Sequence, residues 1–332
     1  GESGFNIRFF TPIAGLSSSP LTLHGTGSLL KRPIGDLSAL KHFGCSVETN
    51  GFPPVTIRGP LNGGCVEIDA SLSSQFLSGL LTALPLAQSD STVVVRALNS
   101  KPYVQMTLEV VKKFGIEIQA REDLTEFHIP GNQKYAACEY TVEGDYSSAA
   151  FWMVAAAING SVTLSGLKEK SLQADAVVVD LLRQAGAIVR QTNDSVSVES
   201  SGSINAFSFN ATDCPDLIPA LSVLACFAQG ECRIKGVTRL KAKESDRASA
   251  LVSELSKMNA RILVNQDELV IQPSKLQGAL VDSHADHRIA MCLAIAGLNA
   301  TGKTTIARSE CVSKSYPKFF EDLNKLTGGE KQ

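Results

Sequence analysis

The sequence contains no run of apolar residues long enough to cross a bilayer and no N-terminal signal peptide. A transmembrane helix needs about 18 to 20 consecutive, mostly apolar residues, so these absences argue against a membrane protein. The chain also lacks a strong charge of either sign, because its formal net charge is −2 at pH 7. Bulk charge therefore points to neither nucleic acid nor an anionic membrane, and any anion-binding site must be a local cluster.

Paired cysteines are missing as well. The eight cysteines are scattered between Cys45 and Cys311, with no CxxC pair and no compact framework. This usage fits reduced thiols in a cytoplasmic protein and argues against structural zinc. The stretch SHADHR places His284 and His287 on either side of Asp286, but the chain has five histidines and no third ligand pattern. We therefore predict no metal and no cofactor.

The sequence does contain an internal repeat, which is visible where predicted helices end. The stretches ALKHFGCSVE, VVKKFGIEIQ, LLRQAGAIVR and ELSKMNARIL each place a small residue after an amphipathic run and before a β-like segment. Glycine, with asparagine as its substitute, is the usual left-handed residue at a helix C-terminus. The predicted caps are Gly44, Gly115, Gly186, Asn259 and, in DLNKLTGG, Gly328. Their spacings are 115 − 44 = 71, 186 − 115 = 71, 259 − 186 = 73 and 328 − 259 = 69, which defines a repeat of about 70 residues.

The order of predicted elements recurs within each period. A short strand is followed by an acidic residue, and a Ser or Pro then begins an Ala- or Leu-rich helix, as in VEGDYSSAAFWMVAAAI and FNATDCPDLIPALSVLACFA. A β stretch and a second helix come after this first helix. The first helix is apolar on almost every side, including Trp152, so we expect it to be buried. The pattern predicts an α/β protein of two domains built from repeated β/α units. The chain starts and stops within a repeat, which indicates either truncation or atypical end repeats.

Seven motifs, in order along the chain, carry a family resemblance. They are KRPIG (31–35), SSQF (73–76), SKPY (100–103), DCPDLIPAL (213–221), KAKESDR (241–247), DHRIAMC (286–292) and SKSYP (313–317). With them the whole chain resembles the enolpyruvyl transferases, most closely the branch whose acceptor is shikimate 3-phosphate. The resemblance implies a two-domain inside-out β/α barrel with three repeats in each domain. We place the domains at 1–139 and 140–332, with a hinge near residues 138–143 that lets them close over the substrates.

The start of the chain departs from the family pattern. Nothing matches the family's N-terminal motif, roughly P-G-S-K-S, and its G-N-A-G-T stretch appears as GESGF, with Glu2 and Phe5 at the changed positions. Gly4 is retained, as expected where backbone must approach a ligand closely. We therefore expect the first domain, on the shikimate-phosphate side, to be truncated at its N-terminus and the chain alone to lack full activity.

The resemblance implies a transferase of the shikimate pathway of aromatic amino acid biosynthesis. The reaction moves the carboxyvinyl group of phosphoenolpyruvate to the 5-hydroxyl of shikimate 3-phosphate and releases phosphate. The planar guanidinium group of arginine matches the geometry of carboxylate and phosphate groups. We expect the several cations of the empty site to repel one another, and a bound anion to offset that repulsion. By their match to the motifs, the phosphoenolpyruvate-binding residues are Gly4, Arg32, Gln75, Arg247, Arg288 and Lys314.

A second set of residues matches the family's contacts to shikimate 3-phosphate. Hydroxyls at a helix start lie where free backbone N–H groups and the helix dipole favour a phosphate, although SSQF taken alone would indicate a simple N-cap. Lys243 and Arg247 are four residues apart, where like charges on one helix face cost a few tenths of a kcal/mol, and two separate ligands would explain the pair. The set is Ser73, Ser74, Gln75, Ser100, Tyr103, Asp216 and Lys243.

Two carboxylates are the candidate catalytic groups. Asp216 matches the residue that hydrogen-bonds the attacking hydroxyl, so it is the candidate general base, and Glu244 matches the proton donor to the methylene carbon. Such opposite roles require environments that push two pKa values apart, and the acid role of Glu244 needs bound substrate or the lysine of the absent motif. The alternatives are helix capping for Asp216, beside Pro215, and an i, i+3 ion pair with Arg247 for Glu244.

Other assignments remain open. The sister enzyme that uses UDP-N-acetylglucosamine usually has a reactive cysteine near the match to Arg32, whereas the preceding residues here are GTGSLL. A non-catalytic repeat protein is the second alternative. The resemblance further implies a monomer without nucleic-acid or membrane partners, and it places His287 beside the phosphate, oriented by Asp286.

Overall fold

The computed structural model describes residues 1–35, 37–71, 73–241 and 243–328, so Ala242 of the KAKESDR motif lies outside the described residues. The helices are α1 (Gly4–Ala14), α2 (Ser38–His42), α3 (Gln75–Ala83), α4 (Lys101–Lys113), α5 (Tyr146–Ile158), α6 (Val178–Gln184), α7 (Ile218–Cys226), α8 (Arg247–Lys257), α9 (His287–Leu298) and α10 (Phe319–Thr327). The strands are β1 (Leu21–Leu23), β2 (Ser46–Glu48), β3 (Val55–Arg58), β4 (Gly64–Ala70), β5 (Ser91–Leu98), β6 (Gln119–Ala120), β7 (Glu126–Ile129), β8 (Ser161–Ser165), β9 (Ile188–Gln191), β10 (Ser195–Glu199), β11 (Ser208–Asn210), β12 (Cys232–Lys235), β13 (Arg261–Asn265), β14 (Glu268–Gln272), β15 (Leu280–Asp282) and β16 (Thr305–Ala307).

The chain divides into two compact units. Unit 1 comprises Gly1–Thr141 and Leu172–Ala174, and unit 2 comprises Val142–Ser171 and the described residues from Asp175 onward. Among its described residues, unit 1 contains two sheets, with strand orders β1-β3-β2 and β4-β5-β7-β6. The described part of unit 2 contains three sheets, with orders β8-β10-β9, β11-β12-β14-β13 and β15-β16. Each unit therefore contains several small sheets rather than one large one.

The repeated β-α-β-α order is confirmed by the strand pairing. Parallel pairs are formed by β4 with β5, β11 with β12 and β15 with β16, and each pair is connected through one buried helix. The later strands of a repeat then join the sheet in antiparallel pairs: β14 pairs with β12, and β13 pairs with β14. The predicted α/β fold class is correct.

The first helix of each repeat is buried, as its composition predicted. All nine residues of α7 are buried, and in unit 2 the helices α5, α7 and α9 pack against one another. Trp152 on α5 is 5% exposed and stacks on Phe319 with ring centroids 4.9 Å apart, so its assignment to the core is confirmed. Strand β8, in contrast, alternates between exposed and half-buried residues. In unit 2 the first helix of each repeat thus lies inside, whereas β8 lies at the surface. No helix among the described residues has the length and apolar character of a membrane span.

The predicted helix caps all adopt the left-handed conformation. The φ angles are +84° at Gly44, +83° at Gly115, +93° at Gly186, +67° at Asn259 and +67° at Gly328. A left-handed residue lets the chain leave the helix and turn into the following strand. The repeat period therefore reflects a backbone requirement at the end of each second helix.

Asp145 caps the N-terminus of α5. Its carboxylate accepts hydrogen bonds from the backbone N–H groups of Ser147 at 2.9 Å and Ser148 at 3.2 Å. We expect Asp145→Ala to lower the free energy of unfolding by about 1 kcal/mol, because two helix N–H groups lose their acceptor. Urea denaturation would measure the change. Asp180→Ala, which removes an exposed carboxylate paired with Arg183, is the control, and an equal loss in both variants would contradict the capping role.

Candidate active site

In unit 1, Gly4 and Arg32 lie against each other at the start of α1. A Cβ atom built on Gly4 would lie 2.8 Å from Nη2 of Arg32, so a larger residue would displace the guanidinium. Arg32 follows the 3₁₀ turn Gly27–Lys31, whose Ser28 donates its backbone N–H and its hydroxyl to the Glu2 carboxylate at 2.9 and 2.8 Å. Gly4 was predicted to leave room for a ligand. In the structure, the absence of a side chain there leaves room for the guanidinium of Arg32, which is itself predicted to bind that ligand.

Arg8 is a buried cation that the sequence did not single out, and it contacts the predicted site residue Gln75. It is 6% exposed, and its guanidinium donates to the carbonyl oxygens of Pro33 at 2.6 Å and Ile34 at 3.1 Å and to Oε1 of Gln75 at 3.0 Å. These bonds join the loop after Arg32 to the first residue of α3. The available signal was one arginine inside the otherwise apolar stretch GFNIRFFTPIA.

Removing the Arg8 guanidinium should destabilise unit 1. We expect Arg8→Leu to lower the free energy of unfolding by about 3 kcal/mol, because buried carbonyl oxygens lose charged donors. The control is Arg58→Leu, since Arg58 is exposed and donates to the carbonyl oxygen of Ser18. Urea denaturation of both variants tests the prediction, and similar midpoints would show that the Arg8 contacts contribute little.

The predicted phosphate contacts of unit 1 lie at two neighbouring helix starts. Strands β4 and β5 are parallel and adjacent, so the helices that follow them, α3 and α4, begin at the same edge of the sheet. The two connections touch, because Asn99 Nδ2 donates to the carbonyl oxygen of Ser71 at 2.7 Å. This edge carries Ser73, Ser74, Gln75, Ser100 and Tyr103. Two helix N-termini with hydroxyl side chains can bind an anion.

Local capping accounts for part of this arrangement. The Ser73 hydroxyl, one residue before the N-cap Ser74, accepts the backbone N–H of Gln75 at 3.2 Å and so contributes a local bond at the helix start. Ser74 precedes α3 without making a side-chain cap and is 5% exposed. Ser100 precedes α4 with φ +59°, a left-handed conformation that costs a non-glycine residue about 1 to 2 kcal/mol. Such strain is characteristic of functional sites.

In unit 2, one guanidinium holds three carboxylates. Arg247, the first residue of α8, is 1% exposed in its side chain and donates to Asp216 at 2.7 Å, Glu244 at 2.5 Å and Asp286 at 2.8 Å. The i, i+3 ion pair predicted as an alternative role for Glu244 is present. The carboxylates also offset part of the positive charge, although Arg247 and Arg288 still repel Lys243.

Asp216 contacts three cations. Besides Arg247, its carboxylate lies 3.3 Å from Nζ of Lys243 and 3.3 Å from Nη2 of Arg288. Burial alone would raise the pKa of Asp216, but the three cations outweigh burial and hold the pKa well below its usual range. The capping alternative is wrong, because Cys214 and Leu217 occupy the capping positions of the adjoining helical turns. Asp216 is therefore ionised at neutral pH.

Asp286 and His287 begin α9 but are not paired as predicted. Asp286 caps the helix by accepting the N–H of Arg288 at 3.0 Å, and its other oxygen binds Arg247. Its pKa is lowered to about 2, because Arg247 outweighs the effect of burial. The ring Nδ1 of His287 is 3.9 Å from Asp286, too far for a hydrogen bond, so Asp286 orients Arg247 instead. Burial and the nearby arginines lower the pKa of His287 to about 4, which leaves its ring neutral.

Asp175 is a second buried residue that the sequence did not reveal. It is 1% exposed and accepts a hydrogen bond from the Ser147 hydroxyl. Burial, and then the negative charge of Asp216, raise its pKa to about 6, while Arg288 acts in the opposite direction. The sequence signal was weak, because an acidic residue before an apolar helix also suggests a simple cap.

Two buried polar atoms of this cluster make no hydrogen bond among the described residues. These atoms are Nη1 of Arg288 and Nδ1 of His287. Lys314, at the end of the 3₁₀ turn Ser309–Lys314, donates to the carbonyl oxygen of Ala285 at 3.0 Å, next to the start of α9. In the described part of the chain, no three His, Cys, Asp or Glu residues are arranged to hold a metal ion.

The structure thus brings the predicted residues together in separate sets. Unit 1 gathers one set around Arg8, namely Gly4, Arg32 and Gln75, and its sheet edge carries Ser73, Ser74, Ser100 and Tyr103. Unit 2 gathers Asp216, Lys243, Glu244, Arg247 and Arg288, with Lys314 nearby. Both units carry cations beside helix starts, an arrangement suited to phosphorylated or carboxylated ligands.

Similar solved structures define the class of this fold. The EPSP synthase of Acinetobacter baumannii superposes with a TM-score of 0.80 and 26% identity, covering 98% of this chain and 77% of that one. The enolpyruvyl transferase NikO of Streptomyces tendae superposes with a TM-score of 0.74 at 18% identity, covering 96% and 76%. The fold is therefore that of the enolpyruvyl transferases.

Sequence comparison narrows the class to one family. The sequence model of EPSP synthase (3-phosphoshikimate 1-carboxyvinyltransferase) matches residues 1–323. Relatives with that name are 40% identical in Clostridium acetobutylicum and 42% identical in Methanocella arvoryzae. The matches cover 98% of this chain and 77% and 78% of the respective relatives. The chain belongs to the EPSP synthase family.

Proposed function

We propose that this chain provides the activity of its family, the transfer of a carboxyvinyl group from phosphoenolpyruvate to the 5-hydroxyl of shikimate 3-phosphate with release of phosphate. The family uses these two compounds as substrates. The single observation that best supports the proposal is the Arg247 guanidinium, which joins the candidate base Asp216 and the candidate acid Glu244 at 2.7 and 2.5 Å.

The proposed phosphoenolpyruvate contacts are cationic in both units. Arg32, with Gly4 and Gln75, would contribute from unit 1, and Arg247, Arg288 and Lys314 from unit 2. The buried Nη1 of Arg288, without a hydrogen-bond partner among the described residues, supports a role as donor to an anion. An incoming carboxylate or phosphate would then compete with Asp216 for the same arginines.

The proposed shikimate 3-phosphate contacts combine hydroxyls with one lysine. Ser73, Ser74, Gln75, Ser100 and Tyr103 would bind from unit 1, and Lys243 and Asp216 from unit 2. The adjacent starts of α3 and α4 support phosphate binding in unit 1, because both helices present free N–H groups at the same sheet edge.

The proposed reaction requires a base and an acid. Asp216 takes the proton of the 5-hydroxyl while that oxygen bonds to C2 of phosphoenolpyruvate, and Glu244 delivers a proton to the C3 methylene carbon. Loss of phosphate and removal of one C3 proton then restore the double bond in the product. Phosphate binding would draw the cations away from Asp216 and make its carboxylate more basic than in the free protein.

Phosphate release tests the proposal against its alternatives. Both substrates together should release phosphate, whereas either one alone should not. UDP-N-acetylglucosamine replaces shikimate 3-phosphate in a parallel reaction, which tests the sister activity that the comparisons do not favour. Phosphate release only with the nucleotide sugar would show that shikimate 3-phosphate is not the acceptor. No release with either acceptor would support the non-catalytic repeat protein instead if a chain that also carries the family's N-terminal motif is equally inactive.

A further inference from the structure

Another buried carboxylate, besides Asp175 and Asp286, lies on α8 about two turns beyond Arg247, and the proposed reaction does not use it. The Glu254 side chain is 1% exposed. One of its oxygens contacts Nε2 of His284 at 3.0 Å, and the other accepts the backbone N–H of Asp282 at 2.8 Å. Because an ionised carboxylate can only accept, the histidine Nε2 carries the hydrogen. Lys257 also contacts Glu254, but its side chain is half exposed.

The segment held by Glu254 has an unusual backbone. His284 and Ala285 are consecutive non-glycine residues with φ angles of +52° and +54°. Side chains bonded to the backbone support this turn, since Asp282 accepts the N–H of His284 at 2.8 Å and Ser283 accepts that of Ala285 at 3.1 Å. Left-handed residues of this kind persist where the surroundings determine the conformation. The turn is therefore supported partly from within and partly by its contacts to Glu254.

The turn leads directly into the candidate site. Asp286, which binds Arg247, follows Ala285, and Arg288 lies two residues further along. The carbonyl oxygen of Ala285 also accepts the Lys314 ammonium at 3.0 Å. Helix α8 thus contacts this segment twice, through Arg247 at its first turn and through Glu254 two turns later. Two separated contacts fix the orientation of the segment as well as its position.

We propose that Glu254 is a positioning residue for the reaction: it holds the 282–286 turn against α8, so that Asp286 and Arg288 meet Arg247 and Asp216 correctly. This inference rests on the proposed function. A carboxylate suits the task because its two oxygens accept from a backbone N–H and a ring N–H at once. The role differs from that of a core residue, because its effect should be confined to the ligand contacts of Arg288 and Lys314.

Hydrogen exchange tests the structural part without reference to activity. In Glu254→Ala, the amides of residues 282–286 should exchange at least about tenfold faster, because the turn loses its contacts to α8 at Asp282 and His284. Lys257→Met is the matched control, since it removes the exposed partner of Glu254 and leaves the contacts to Asp282 and His284. Unchanged exchange in Glu254→Ala, or equal acceleration in both variants, would overturn the proposal.

Kinetics test the positioning part. In Glu254→Ala we expect KM for phosphoenolpyruvate to rise about tenfold while KM for shikimate 3-phosphate stays within about twofold. Glu254→Gln keeps one carbonyl acceptor and should restore part of the loss. If the alanine variant does not fold, Glu254→Gln is used for both the hydrogen-exchange and the kinetic measurements. A parallel rise in both KM values, or no rise, would contradict positioning. If the wild-type chain releases no phosphate, the proposed function fails, whereas hydrogen exchange still decides whether Glu254 holds the turn.

Discussion

Arg247→Ala should show the largest combined loss of stability and activity. We expect the free energy of unfolding to fall by about 3 to 5 kcal/mol, because Asp286 stays buried without its cation and Asp216 and Glu244 lose a shared donor. We expect kcat/KM to fall by at least about 10²- to 10³-fold, since the same guanidinium is a proposed contact for phosphoenolpyruvate. Urea denaturation and phosphate release measure the two effects.

Two comparisons separate this prediction from a general effect of charge removal. Arg183→Ala removes an arginine whose partner, Asp180, is 69% exposed, and it should cost less than about 1 kcal/mol. Arg247→Lys keeps the positive charge but loses the planar guanidinium that donates to three carboxylates. Its free energy of unfolding should therefore lie between the wild-type and alanine values. An alanine variant as stable as the Arg183 control would show that the buried network contributes little.

The stability difference should also depend on pH. In the wild type, the pKa of Asp286 is lowered to about 2, so its stabilisation is complete above the ordinary aspartate pKa of about 3.9 and is lost as pH falls toward 2. Without Arg247, burial dominates and raises the pKa of that carboxyl, so protonation relieves the variant at low pH. The gap between the two proteins should therefore begin to narrow above about pH 4, as the raised pKa of the variant's carboxyl is crossed, and narrow further toward pH 2 as the wild type loses its stabilisation. A gap that stays constant with pH would argue against Asp286 as the main source of the loss.

The features that the sequence revealed are those set by local requirements. The cap residues, such as Gly115 and Asn259, could be found because a left-handed backbone restricts which residue can stand there. The buried helices could be found because α7 has no polar face to turn toward solvent. The repeat followed from these two signals together.

The features that the sequence did not reveal depend on residues far apart in the chain. Arg247 meets Asp216 across 31 residues and Asp286 across 39, so no local pattern indicated that its charge was already balanced. Arg8 meets Gln75 across 67 residues, and a lone arginine in an apolar stretch does not reveal its partner. Motif matching identified both the cations and the carboxylates Asp216 and Glu244, whereas only tertiary contacts showed that Asp216 and Asp286 bind Arg247.

Asp216→Asn should separate catalysis from ligand binding. We expect kcat to fall by about 10²- to 10⁴-fold, because an amide cannot take the proton of the attacking hydroxyl. KM for phosphoenolpyruvate should stay the same or fall, since Arg288, Lys243 and Arg247 would no longer be held by a competing negative charge. Steady-state kinetics with each substrate varied in turn would measure both parameters.

The pH profile of the wild type provides the second half of this test. Because the cations hold the pKa of Asp216 well below its usual range, it is ionised in the free protein, and kcat/KM should show no inflection from it above about pH 4. Asp194→Asn, the same change at an exposed loop position, is the control and should leave kcat unchanged. If Asp216→Asn kept more than about a tenth of the wild-type kcat, the base would have to be another group, because general-base catalysis contributes more than that. Asp216 would then act mainly by holding the three cations in place until the anions bind.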